Sequence, residues 1–405
     1  PLLHSPDLSP VPPAQRTFSA WDMAALWVGL VVSVSSWFLA GGLVDLGMSW
    51  QEGILCVLLA NTIVLAPMVL MGHAGVKYGV PFPVLARSSF GIRGAILPAV
   101  LRGCVAACWF GLNTWLGGAA IHQMAQTLAG GALGGGAASG RPCSARPTCP
   151  HSPPALAPSL PPPAPQVVIL LRGMEGIRLL EKYSAPVLIA LTACLLVWAV
   201  GAAGGWGPML STPSMFAPGQ PQAGRFWPVF LPSLSSQIGY WATLALNIPD
   251  FTRCVCVCVI SPGRFTFQGG ALLTSVVGLV IQPWHLVSST SAFFNWLIAY
   301  SVLLGPIAGI LLADYYWVRR RRLDLDALYS TYPSAPYHYR GGWNPAALAA
   351  LAAGAAPTLP GLLHVLPGTP APRLCLHLYH AAWFVGFAVG GAVYALLMRR
   401  HYRLQ

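Results

Sequence analysis

The chain has 405 residues, 55% of them hydrophobic and only 8% charged, with a mean hydropathy of +0.62. Soluble domains carry about a quarter charged residues, so this composition excludes an ordinary soluble enzyme, a disordered chain and a nucleic-acid binder, and leaves a polytopic membrane protein. The net charge of +12, from 22 Lys+Arg against 10 Asp+Glu, would point to a polyanionic partner in a soluble protein; in a membrane protein it points to basic loops held on one side.

Residues 1–20 are polar and Pro-rich and lack the apolar run of a cleavable signal peptide, so they are expected to form a cytosolic tail. Apolar stretches of about 20 residues, the length that crosses a bilayer, follow at Trp21–Leu46, Ile54–Met71 and Ala95–Ala125. Residues 128–165 are rich in Gly, Ala, Ser and Pro, a linker-like composition that packs poorly. Within and beyond them Ala155–Leu171 is apolar but interrupted by Pro161, Pro162, Pro163 and Pro165. Further spans are expected at Ala185–Ala203, Phe226–Leu246, Gly269–Val287, Ala292–Val318, Ala346–Val365 and Leu374–Met398.

The loop charges decide the interrupted stretch. With the N-terminus inside, Arg16, Lys77, Arg87, Arg93 and Arg102 are inside. If Ala155–Leu171 crosses, Arg172, Arg178, Lys182, Arg253, Arg264, the run Arg319–Arg322, Arg340, Arg399, Arg400 and Arg403 join them. If it does not cross, the basic clusters split between the faces and the positive-inside pattern is lost. Ten crossings with both termini inside are therefore expected. Arg319–Arg322 is best read as a topology anchor, with an anionic-lipid contact second.

Chemistry is scarce. Asp22, Asp45, Asp250 and Asp314 lie at or near span ends, and the span middles hold no carboxylate. That weakens a proton relay and suits a cation held by backbone carbonyls where a helix unwinds. In the first span Ser33, Ser35 and Ser36 offer hydroxyls while Gly41 and Gly42 permit a break; in ATLALNIPDFTR, Pro249 frees a carbonyl one turn earlier and Asn247 adds an amide. The plainer account of these small polar residues is close helix packing. Trp109 and Trp241 are expected at mid-membrane depth, away from the interfaces Trp prefers, and Asn113 lies four residues after Trp109 on the same helix face. Two indoles and an amide suit a flat heterocycle with lactam edges, although Trp stripes more often serve packing. The Cys-Val alternation at Cys254–Val259 could hold a soft metal but reads better as non-functional repeat, and His377 with His380 lacks a third ligand. The other cysteines in apolar runs, such as Cys56 and Cys104, are expected to act as small hydrophobes. No G-x-S-x-G, Walker loop or H-E-x-x-H occurs, and no enzyme is expected.

Longer blocks carry a resemblance. RTFSAWDMAALWVGL, KYGVPFPVLARSSFGIRGAILPAVLRGCVAACWFGLNTWLGG, RGMEGIRLLEKYSAPVL, WATLALNIPDFTR, WLIAYSVLLGPIAGILLADYYWVRRRRLDLDALYS and YHYRGGWNPAALAAL together make about a third of the chain. In these blocks the chain resembles the nucleobase:cation symporter-1 family of secondary transporters, in its plant and algal branch. The resemblance implies an all-α, five-plus-five inverted-repeat fold of twelve helices, with the first and sixth broken, a midplane substrate and alternating access. It implies cation-coupled symport of a planar uracil, purine, hydantoin or allantoin, with Na⁺ or H⁺ as coupling ion and no cofactor. Trp109 and Trp241 would then sandwich the ring, Asn113 would read its edge where the family commonly has Gln, and Ser33 would line the substrate side. The carbonyls of Gly29 and Val32 would hold the cation. Partners are thus a small heterocycle, a cation and the lipid bilayer, either of the plasma membrane or of the plastid envelope, and no nucleic acid.

The resemblance also implies departures. The family continues through two more helices between NIPDFTR and a segment like VISPGRFTF, whereas CVCVCV joins the two here. The expected division is a tail at 1–20, helices one to three at 21–127, an insertion at 128–165, helices four (partial) to six at 166–253, a junction at 254–267 replacing helices seven and eight, helices nine to twelve at 268–398, and a basic tail at 399–405. The alternative expectation is a truncated, non-transporting membrane protein of the same descent.

Overall fold

The computed structural model describes residues 8–12, 19–128, 173–206, 210–252, 267–283, 289–365 and 372–403. The insertion at 128–165, the span Ala155–Leu171 and the junction at 254–267 lie outside the described residues, except for positions 128 and 267. Among the described residues the regular structure is helical, with only an isolated bridge between Arg340 and Trp343.

The helices are α1 (Ala20–Val31), α2 (Val34–Asp45), α3 (Trp50–Tyr78), α4 (Phe82–Phe90), α5 (Ile96–Leu128), α6 (Gly173–Ala202) and α7 (Phe226–Thr252). They continue with α8 (Phe267–Val280), α9 (Thr290–Leu312), which runs on as a π-helical turn at Ala313–Val318, α10 (Leu325–Tyr329), α11 (Pro345–Ala355), α12 (Leu359–Val365), α13 (Arg373–His380) and α14 (Ala382–Arg403). Five are long and apolar enough to cross a membrane: α3, α5, α6, α9 with its π-turn, and α14. The bent pairs α1–α2 and α11–α12 raise that number to seven among the described residues. The expected crossing at Phe226–Leu246 falls within the helix α7; of the one expected at Gly269–Val287, residues 269–280 are helical in α8, the helix ends at Val280, and residues 284–287 lie outside the described residues.

Local sequence explains the helix ends. Ser19 and Asp22 form a capping box at α1, and Ser49 with Glu52 repeats it at α3. Gly79, at φ 65°, ends α3 in the left-handed region where a side chain would be strained. The first span does break, but at Val32–Ser33 and not at Gly41–Gly42, with a 53° bend. Ser33 decides the place: it caps α2 by accepting the Ser36 N–H, whereas Gly41 and Gly42 lie within α2, where their neighbours continue the helix. The expected break around Asn247 and Pro249 is absent, because α7 runs unbroken from Phe226 to Thr252 with Pro232 and Pro249 inside it. The span expected at Leu374–Met398 is two helices, α13 and α14, parted at Ala381.

Two seams hold the bundle: α9 against α14 and α3 against α7. The first is built from small residues that let backbones approach. A methyl on Gly309 would overlap the Phe387 carbonyl, and one on Gly305 would press on Trp383, while Pro306 nests against Gly354, Gly386 and Gly390. All of these contacts are with backbone or ring atoms that cannot rotate away. Gly309→Val should therefore cost about 1–3 kcal/mol through overpacking, read as a lower melting temperature of the detergent-purified protein; an unchanged melt would show that the seam can open freely.

One end of the bundle gathers two of the basic segments assigned to the inner face, around residues 77–102 and 319–342. α4 is buried along its whole length. Asp250 at the end of α7 accepts the Phe82 N–H at 2.8 Å and pairs with Arg102 of α5, whose guanidinium lies over the Phe82 ring. Arg87 donates to the Leu328 carbonyl at 3.0 Å, and the Arg93 N–H donates to the Gly342 carbonyl at 2.8 Å. Lys77 and Tyr78 both donate to the Arg321 carbonyl. The arginine run is thus more than a topology anchor. Arg319 turns inward against Asp314 and stacks on Tyr337, because the π-turn aims Asp314 into the protein.

Candidate functional site

The break between α1 and α2 is where polar groups and rings converge. Beyond Val31 the helical hydrogen bonding shifts: the Ser33 N–H donates to the Val31 carbonyl at 2.9 Å, and the Ser36 N–H to the Ser33 carbonyl at 3.1 Å. The carbonyls of Gly29 and Val32 would have received these donors in a continuous helix. Both lose them at the break, leaving oxygen lone pairs of the kind a hard cation takes.

Hydroxyls line the α2 side. Ser33 and Ser36 lie 2.9 Å apart, Ser36 meets the Tyr240 hydroxyl at 2.9 Å, and Ser33 meets it at 3.4 Å. Ser35 donates to Asn113 Oδ1 at 2.8 Å. Asn113 is otherwise exposed. Ser33 and Asn113, the two polar side chains singled out from the sequence, are both held at the start of α2, Ser33 through Tyr240 of α7 and Asn113 of α5 through Ser35, with no direct hydrogen bond between them, an arrangement no local pattern encodes.

The aromatic geometry differs from a simple pair of indoles. Trp109 is half-buried and sits edge-on to Tyr240, with centroids 5.0 Å apart and planes at 84°. It also contacts Trp296 at 5.0 Å and Phe293 at 6.1 Å, both from α9. Trp241 is buried and packs on Tyr240 at 4.9 Å and on Trp27 of α1 at 6.1 Å. Successive residues on a helix point about 100° apart. Tyr240 therefore faces α5, and Trp241 turns toward α1 and α3. Among the described residues no ring contact joins Trp109 to Trp241; Tyr240 touches both.

A cavity of about 410 Å³ opens on the Trp27 side of Trp241, lined by Val31, Asn61, Thr62 and Met68 among others. Its size suits a small heterocycle, and its walls combine two indoles with one amide and one hydroxyl. Tyr300 of α9 braces the site from behind by donating to the Gly239 carbonyl at 2.7 Å. Tyr240, Trp27, Trp296 and Tyr300 are absent from the sequence-based site. The one available signal was the Gly-Tyr-Trp triplet before Ala242, in which either aromatic residue could face inward.

The geometry on the page can be set beside known proteins. The sequence profile of a family described as permeases for cytosine/purines, uracil, thiamine and allantoin matches residues 10–256 and 257–386. The purine-uracil permease NCS1 of Arabidopsis thaliana is 39% identical over 488 aligned positions, which cover 100% of this chain and 79% of that protein. The allantoin permease of Bacillus subtilis (strain 168) is 29% identical, covering 98% of this chain and 94% of that one. In fold the chain is similar to Mhp1, a nucleobase-cation-symport-1 family transporter solved in a closed conformation with bromovinylhydantoin bound. The TM-score is 0.75 at 22% identity, over 98% of this chain and 95% of that one.

Proposed function

Because the chain belongs to the family of permeases for cytosine/purines, uracil, thiamine and allantoin, and is accordingly an integral membrane transporter and not an enzyme, we propose that it carries a planar nucleobase or a related heterocycle by cation-coupled symport. The observation that carries this reading is the meeting of Ser33, Ser36, Asn113, Trp109 and Tyr240–Trp241 at a broken helix. Rings supply apolar faces and the hydroxyls and amide supply donors and acceptors for lactam edges, the complement of a flat base. A base lying between Trp109 and Trp241 takes the place of the Tyr240 ring, so this reading requires Tyr240 to swing aside as α7 rocks. Gly29 and Val32 hold Na⁺ or H₃O⁺ through their released carbonyls. The host membrane is the plasma membrane or the plastid envelope.

The test is uptake of radiolabelled uracil, adenine, guanine and allantoin by the full chain in a transport-deficient host, with and without Na⁺ and across a pH series. Saturable uptake of at least one compound is expected; background uptake of all four by a membrane-localised chain would reject the reading.

One observation favours a second reading. The family match is split at residue 256, inside the Cys-Val run, and the alignment with the Arabidopsis permease needs 488 positions for 405 residues. These facts fit a chain that lacks the family's seventh and eighth helices and does not transport alone. Restoring a relative's segment between Arg253 and Val259 should then create uptake that the chain as written lacks.

A further inference from the structure

We propose that Glu181 of α6 is an anionic ligand of the coupling-cation site, facing the α1 backbone beside its break; this rests on the transport reading above for its purpose, though not for its test. The sequence places Glu181 just ahead of the span expected at Ala185, among charges that look like an inner loop. The structure instead carries α6 back to Gly173 and brings Glu181 into the apolar stretch Leu179–Ala202.

Two independent observations support the assignment. The first is contact. α1 packs against α6, and the Glu181 carboxylate lies on the Cα face of Gly29, so closely that a methyl built on Gly29 would overlap it. The residue at that contact is one of the two whose carbonyls lose their helical donors at the break. The second is an orphaned atom. Glu181 Oε2 is buried with no hydrogen-bond partner. A carboxylate oxygen shut away from water with nothing donating to it is costly to leave bare. A small hard cation bound there removes that cost and uses an oxygen donor set.

Among the described side chains of the two helices, no other charged group supplies the missing charge. Asp22, at the start of α1, closes the Ser19 cap two turns earlier. Lys182 is exposed and, as the next residue on the helix, points about 100° away. Arg178 has its side chain outside the described residues. Ser184, one turn on, hydrogen-bonds back to the Glu181 carbonyl at 3.5 Å and also reaches its carboxyl group, so Oε2, the oxygen nearest Gly29, is the one left without a donor.

The test is direct binding of ²²Na⁺ to the purified full chain, with K⁺ and choline as competitors, together with the Na⁺-dependent shift of its thermal melt. Wild-type protein should bind Na⁺ saturably and melt higher with it. Glu181→Gln, which keeps size and removes charge, should weaken binding at least about tenfold and abolish the melt shift. Glu181→Asp should retain weaker binding. Gly29→Ala provides a route that keeps the acid and pushes it away, and should weaken Na⁺ binding as well. Wild-type-like Na⁺ binding by folded Glu181→Gln overturns the proposal. So does a wild-type chain that neither binds Na⁺ nor melts differently with it, even if it takes up bases. Na⁺ binding that depends on Glu181 in a chain that transports nothing would uphold the site and count only against the transport reading.

Discussion

Asp314→Ala should be the most destabilising single substitution in the described part of the chain, by about 3–5 kcal/mol. The carboxylate is wholly buried in the π-turn that follows α9. It accepts from Ser88 of α4 at 2.7 Å, from Tyr394 of α14 at 2.8 Å and from Arg319 at 3.2 Å. Arg319 in turn donates to the Ser88 carbonyl at 3.0 Å and to the Tyr339 hydroxyl at 2.6 Å, and Tyr339 donates to the same carbonyl. One acid thus holds three helices and a loop. Its removal leaves a buried guanidinium without its counter-charge and the Tyr394 hydroxyl without its acceptor, while Ser88 keeps only the Leu85 carbonyl, a penalty well beyond the net value of the bonds themselves. Tyr394→Phe removes one donor and should cost only about 1–3 kcal/mol. Melting of the purified variants followed by Trp fluorescence ranks them. If Asp314→Ala melted no lower than Tyr394→Phe, the network would be slack and the π-turn would have another purpose.

Trp109→Ala should weaken base binding by roughly ten- to hundred-fold, the range expected from about 1–3 kcal/mol for one stacked base. Trp109 stands where α5, α7 and α9 meet, against Tyr240, Trp296 and Phe293. A stability loss alone could lower uptake, so Trp109→Phe is the informative partner: it keeps an apolar ring and most of the packing while shrinking the stacking face. Trp241→Ala should weaken binding as well, provided the substrate reaches the side of α7 that now faces Trp27 and the nearby cavity. Equilibrium binding of radiolabelled uracil or allantoin to purified protein separates the two Trp residues. Equal affinity in wild type and Trp109→Ala would remove stacking on α5 from the account, whatever Trp241 does.

Much of the architecture was legible in the sequence. Scarce charge and long apolar runs demand helices in a bilayer, since only internally bonded backbone survives there. The place of the break in the first span was not legible: the glycines pointed to Gly41–Gly42, and only the structure shows Ser33 as the cap that sets it. Two of the basic segments expected on one face, those around residues 77–93 and 321–342, meet at one end of the bundle. The family blocks named the transporter class, and the matches to its sequence profile and to a solved relative of the same fold agree with that assignment.

What the sequence could not decide is the set of contacts made across long separations. Asp314 reads as one more acid at a span end, yet its partners stand 226 and 80 residues away. Glu181 reads as a loop charge until α6 is seen to begin earlier and to lie on Gly29. Tyr240 and Trp241 differ only in helix phase, and a turn of about 100° decides which of them meets Trp109. Composition and periodicity act residue by residue along the chain, so they determine which segments are helices and which solvent those helices require. The rotation of each helix about its axis, and therefore every buried ion pair and every facing ring, is set by how neighbouring surfaces interlock, and only the tertiary structure contains that.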